Sequence, residues 1–87
     1  MMNMNSININ EYSESLGQLI DVSHPLDYQK KHVASAINIY ADKLLLNHFK
    51  YLDKNKTYYI MCQKGQLSKK VVTRLKFYGY KVIQVKY

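Results

Sequence analysis

Cys62 is the only cysteine of the 87-residue chain, and its neighbours suggest what it could do. It follows Thr57-Tyr58-Tyr59-Ile60-Met61, an aromatic and β-branched run that reads as a strand. It precedes Gln63-Lys64-Gly65-Gln66, a short glycine-bearing loop that leads into a helical pattern. Ligands in open α/β sheets bind beyond the carboxyl ends of strands, so the thiol stands where such a sheet puts its site. Gly65 supplies the backbone freedom that a tight curl demands, and the curl turns several N–H groups inward. The helix is expected to start at about Gln66 to Ser68, with the positive end of its dipole directed at the sulfur. Both features favour the thiolate, the nucleophilic form of cysteine. The same cradle suits an oxyanion, or a terminal sulfur carrying negative charge. A competing expectation is a strand cysteine buried for packing alone, since free cysteine is among the most buried residue types.

The elements that must hold this loop follow from periodicity. Gln18 to Val22 is a short apolar run ended by Ser23-His24-Pro25, as in a buried strand stopped by a turn. Before it, Glu11 to Leu16 is a short helix candidate with Asn10 as N-cap and Gly17 as its stop. Pro25 can open a helical turn through Lys31, and Ala36 to Ile39 is a second small strand. From Ala41 to Leu52, Leu45, Phe49 and Leu52 recur at helical spacing, flanked by Leu44 and Leu46; a polar turn at Asp53 to Lys56 follows. After Cys62, Leu67, Val71, Val72, Leu75 and Tyr78 share one helix side, while Lys69, Lys70, Arg74 and Lys76 share the other. Gly79 stands where a C-terminal cap belongs, and Val82 to Val85 reads as a further buried strand. Strand, helix and strand in that order form a βαβ unit. The alternation predicts an α/β domain with a central parallel sheet of about four or five strands flanked by helices.

Length and composition bound the function. Residues 1–87 make one domain, with 1–6 a candidate disordered end, and a two-domain enzyme is excluded. No apolar run approaches the ~18 residues needed to cross a bilayer, and the first residues lack the pattern of a signal peptide. A lone thiol cannot form an internal disulfide, so a reducing, cytoplasmic setting is expected, with no membrane partner. The net charge is +7, from 13 basic and 6 acidic side chains. The lysines are scattered and Arg74 is the only arginine, as A/T-rich codons would give, which disfavours a nucleic-acid role. A positive field still gathers small anions. Tyr58, Tyr59 and Tyr80 fall in or beside expected strands and read as sheet material rather than a stacking platform. His24, His32 and His48 lack the tight spacing of a zinc site, and no metal or cofactor is expected. Asp21, at a strand end, reads as a hydrogen-bonding residue rather than a catalytic one.

Several ordered segments resemble the rhodanese-like domain family. Cys62-Gln63-Lys64-Gly65-Gln66-Leu67-Ser68 is similar to the family's active-site loop, commonly Cys-x-x-Gly-x-Arg-Ser. Leu19-Ile20-Asp21-Val22 resembles the strand before its usual Asp-Val-Arg, and Asp27 to Ile39 resembles its acidic-aromatic-x-x-Gly-His-Ile-x-Gly-Ala-x-Asn-Ile segment. Gly79-Tyr80-Lys81-Val82 resembles the Gly-Tyr/Phe-x-Val before the last strand. The resemblance runs from about Leu19 to Val85 and implies a sulfurtransferase. Cys62 would be the nucleophile and persulfide carrier, and Gln63, Lys64, Gly65, Gln66, Leu67 and Ser68 would form the substrate and anion cradle. The implied partners are a small anionic sulfur donor, such as thiosulfate, and a thiol or protein acceptor.

The departures carry their own expectation. Leu67 stands where an arginine is common, so the loop lacks a bidentate oxyanion donor, and Lys64 supplies only a point charge. Ser23 replaces the arginine after Asp-Val and cannot pair with Asp27, and Lys31 and Ser35 replace two family glycines. These changes predict weaker handling of thiosulfate than of another donor, such as a protein or low-molecular-weight persulfide. A non-catalytic binding or sulfur-carrier module of the same fold is the alternative. A cysteine phosphatase or arsenate reductase closes a related cradle with an arginine that this loop lacks.

Overall fold

Five strands pair in parallel in the computed structural model, which describes residues 6–87. In chain order they are β1 (Ser6–Asn8), β2 (Gln18–Asp21), β3 (Ala36–Asn38), β4 (Thr57–Met61) and β5 (Lys81–Lys86). They lie in the sheet order β1-β5-β4-β2-β3. Four helices connect them: α1 (Pro25–Lys30), α2 (Ala41–Leu46), α3 (His48–Tyr51) and α4 (Gln66–Phe77). The α/β class and parallel sheet match the sequence expectation, with five strands. β4 is central, between β5 and β2, and its carboxyl end delivers Cys62.

Side-chain alternation along β4 divides the core. Tyr58 and Ile60 join Val71, Val72 and Leu75 of α4 with Leu44 of α2 in the larger apolar cluster. Tyr59 and Met61 face the other side with Leu19, Ala36 and Val85. Each fully buried aliphatic side chain contributes about 1.5–3 kcal/mol relative to exposure, so α4 is anchored mainly by Val71 and Leu75, both at 0% exposure. Gly79 takes φ 97°, and two bonds close the helix end: Gly79 N–H to the Lys76 carbonyl and Tyr80 N–H to that of Leu75. The buried tyrosines 58, 59 and 80 are sheet and core material, as expected.

Three expectations are corrected. The segment 11–16 is not one helix capped by Asn10 but two 3₁₀ turns, Ile9–Glu11 and Glu14–Leu16. Tyr12, between them, turns inward to lie tilted against Tyr59 and donate its hydroxyl to the Gly17 carbonyl at 2.7 Å, which interrupts the coil. Ala41 to Leu52 is likewise split, because Asn47 leaves helical geometry (φ −124°, ψ 31°) and donates its side-chain amide to the Lys43 carbonyl. The break leaves Phe49 at 73% exposure while Leu52 is buried. β1 has no counterpart in the sequence reading. Residues 1–5 of the end expected to be disordered lie outside the described residues, and Ser6 opens β1.

Candidate active site

Parallel pairing sets the strand ends level. Asp21 is the register partner of both Met61 and Asn38, so the segments leaving β2, β3 and β4 emerge side by side. The Val22 N–H bonds the Met61 carbonyl at 2.9 Å, and Asn38 Nδ2 donates to the Asp21 and Ser23 carbonyls at 2.9 Å each. A rigid ledge of backbone therefore supports the first residue beyond β4, which is Cys62.

Cys62 is 5% exposed and counts among the larger core cluster, yet its sulfur is not in a purely aliphatic setting. The backbone N–H of Ser68 donates to Sγ at 3.1 Å and that of Gly65 at 3.2 Å. Gly65 makes this curl possible by adopting φ +80°, a left-handed conformation that side-chain-bearing residues rarely take. It is also the N-cap of α4, and no side chain caps that helix. Of the first-turn donors, Ser68 N–H is spent on Sγ, and those of Gln66 and Leu67 have no acceptor within the helix. Sulfur therefore sits at the positive end of a twelve-residue helix with two amides donating to it, an arrangement suited to negative charge on Sγ.

The remaining loop residues divide in role. Gln63 turns away from the sulfur, donating Nε2 to the Lys31 and Asp27 carbonyls at 3.0 and 3.2 Å, which ties the loop to the end of α1. Leu67 packs against the larger core cluster. Lys64 borders two cavities that meet at Cys62. One, about 350 Å³, lies toward β5 and is lined by Lys64, Lys69, Lys86, Gln84 and Tyr87 among others. The other, about 320 Å³, lies toward β2 and includes Ser23, His24, Asp27, Tyr40 and Leu67. From sequence, Lys86 and Gln84 carry no site expectation and Lys69 only that of the polar side of α4. The sequence signal for Gln84 was a polar residue inside an apolar strand, which must find a partner when buried.

Asp21 is fully buried, and its Oδ1 accepts the Ser23 N–H at 2.9 Å, a hydrogen-bonding role as expected. Its Oδ2 and the Ser23 hydroxyl are buried without a partner among the described residues. Partial burial, and then the nearby Asp21 charge, push the Tyr87 phenol above its ordinary pKa. The histidines do not converge. His24 caps α1, His32 stacks on Tyr28 at 3.9 Å, and His48 bonds the Tyr80 hydroxyl at 2.7 Å. No group of three or more potential metal ligands occurs among the described residues.

Comparison with known proteins agrees with this fold. The sequence model of the rhodanese-like domain matches residues 5–86. Among solved structures, a protein from Staphylococcus saprophyticus is similar with TM-score 0.83 and 27% identity, over 95% of this chain and 87% of that one. A rhodanese-like domain protein from Staphylococcus aureus is similar with TM-score 0.82 and 28% identity, over 95% and 85%. A rhodanese-related protein from Thermoplasma volcanium gives TM-score 0.80 and 27% identity, over 94% and 83%. No curated protein matches in sequence. The family pattern spans nearly the whole chain, and the loop that follows β4 brings two amides onto its thiol: this chain belongs to the rhodanese-like domain family.

Proposed function

We propose that this protein is a sulfurtransferase that carries sulfane sulfur as a persulfide on Cys62. The observation that carries this reading is the pair of N–H donors, from Gly65 and Ser68, converging on Sγ at a helix start. A Cys62 thiolate attacks the sulfane sulfur of a donor; an Sγ–S bond forms as the donor's own bond to that sulfur breaks, and the leaving group departs with the electron pair. With thiosulfate the leaving group is sulfite. The Gln66 and Leu67 amides, which have no acceptor within the helix, are the donors free to stabilise charge on the outer sulfur of the persulfide. A nucleophilic acceptor, a thiol or cyanide, attacks that outer sulfur and returns Cys62 to the thiolate.

The cavity toward β5 supports a small anionic donor, because Lys64, Lys69 and Lys86 line it and no acidic side chain is among its lining residues. Leu67 offers no charge where a guanidinium would clamp an oxyanion, so the reading favours an organic or protein persulfide over thiosulfate as the better donor. Loading followed by intact-mass measurement tests the function. Wild type should gain one sulfur from thiosulfate or a low-molecular-weight persulfide and lose it to cyanide, whereas Cys62→Ser should gain none. Failure of wild type to gain sulfur from any of these donors would remove the enzymatic reading.

One observation favours a second reading, a docking module of the same fold. Phe77, Leu46 and Phe49, on α4, α2 and α3, are 85%, 77% and 73% exposed. Absence of sulfur loading from every donor is the outcome this reading predicts.

A further inference from the structure

Gln84 lies in β5, one strand over from the strand that delivers Cys62, and is the register partner of Ile60. It is 6% exposed. Its neighbour Val85 belongs to the smaller core cluster and Val82 to the larger, so alternation points Gln84 toward α4. A buried carboxamide without partners costs more than its packing returns. Gln84 uses Nε2 for two bonds, to the Gly65 carbonyl at 2.8 Å and to Ser68 Oγ at 2.9 Å. Ser68 Oγ in turn donates to the Gly65 carbonyl at 3.1 Å, and the Lys69 N–H donates to it at 3.1 Å. Three donors therefore meet on one carbonyl.

Gly65 and Ser68 are also the two residues whose N–H groups reach Sγ. Glycine at φ +80° is the least constrained point of the loop, and since no side chain caps the helix it opens, the tilt of its carbonyl is set by the three donors that meet there, of which Gln84 is the one from outside the loop and helix. Because the peptide is planar and trans, pinning the Gly65 carbonyl also fixes the opposed Gln66 N–H. We infer that Gln84 is a positioning residue for the sulfur cradle: through the Gly65 carbonyl and the Ser68 hydroxyl it holds the loop amides on Cys62. The geometric part stands on the hydrogen bonds alone, and only its kinetic consequence rests on the sulfur-transfer reading.

Amide hydrogen exchange in the full chain, wild type against Q84M, separates positioning from plain stability. Methionine keeps the volume and removes both donated bonds. The Gly65 and Ser68 amides should lose protection by about tenfold or more, while those of Ile60 and Val72 keep theirs. In sulfur loading, kcat should fall about tenfold with KM for thiosulfate changed less than about twofold, because the lysines are untouched. Unchanged protection at Gly65 and Ser68, or equal loss at every amide, would overturn the assignment. If neither protein loads sulfur, the transfer reading fails while the exchange data still decide the role of Gln84. Should Q84M not fold, Q84E takes its place. Its ionised carboxylate opposes the Gly65 carbonyl, so protection should be low at high pH and return as the carboxyl protonates and regains a donor. Protection at Gly65 and Ser68 independent of pH in Q84E would equally overturn the inference.

Discussion

Two neighbouring strands, β2 and β4, end level with each other and both feed a helix through a short turn, but the turns dispose of their amides differently. After β2, Asp21 Oδ1 takes the Ser23 N–H, His24 Nδ1 takes the Leu26 N–H at 3.2 Å, and Pro25 has no N–H to offer. The start of α1 is satisfied locally, by the His24 side chain and by the His24 carbonyl, which takes the Asp27 N–H at 2.9 Å. After β4 there is no proline and no side-chain cap, and Gly65 and Ser68 donate to the sulfur of Cys62 instead. The same topological position thus yields a corner closed by its own caps in one case and a corner whose amides face a thiol in the other. A helix start is left open to a ligand when the local cap is withheld, and here a thiol stands in its place.

The sharpest way to break this contrast is to give α4 a cap of its own. Gly65→Asp puts a carboxylate at the N-cap, where it competes with Sγ for the amides and repels an anionic donor. Sulfur loading should fall by ~10²-fold, the usual loss when one donor to a developing charge is removed. Intact-mass time courses measure it. An added Cβ at Gly65 would come no closer than 4.0 Å to Gln84 Nε2, so the cost of the change lies in the backbone, where φ +80° strains any residue with a side chain; Gly65→Ala carries the same strain without the carboxylate and should lose far less. Loading at the wild-type rate would show that the amides do not govern reactivity at Cys62.

How much of this contrast was legible in the sequence depends on how far apart the partners lie. The strand, cysteine, glycine loop and helix sequence is local, so Thr57 to Phe77 could be read directly, with Cys62 at the strand end. Asp21 and Cys62 could be placed on one sheet edge because a parallel sheet was expected. Gln84 could not be tied to the loop, because its acceptors are 19 and 16 positions away and no periodicity encodes a hydrogen bond across a helix–strand interface. Gln63 points to α1 rather than into the cradle for a similar reason, with partners 36 and 32 positions away. β1 escaped notice since three residues with one apolar side chain carry no usable pattern. The helix over Ala41 to Leu52 was overextended because Asn47 breaks it through its own side chain, a competition that apolar spacing ignores.

The opposite corner should fail in a different currency. His24→Ala removes the cap of α1 and leaves the Leu26 N–H without its partner. Stability should drop by about 1 kcal/mol, which for a domain of this size lowers Tm by about 4–8 °C. Thermal melting followed by circular dichroism measures the shift. Sulfur loading should fall far less than in Gly65→Asp. A loading defect as deep as that of Gly65→Asp would mean that the two turns are one functional unit rather than a support and a site.

Salt tests the weakest part of the contrast, the field around the β5-side cavity. Lys64, Lys69 and Lys86 line it, and each is a flexible, solvent-screened charge rather than a fixed donor. Raising ionic strength shortens the Debye length from about 10 Å at 0.1 M to about 3 Å at 1 M. The attraction of a dianionic donor should weaken accordingly, with kcat/KM falling about threefold over that range and kcat nearly constant. The amides on Sγ are buried and fixed, so alkylation of Cys62 by a neutral reagent should respond little to the same change. If both rates fell together, salt would be acting on the cradle itself, and the separation between a screened lysine rim that gathers anions and a rigid amide pair that holds sulfur would not stand.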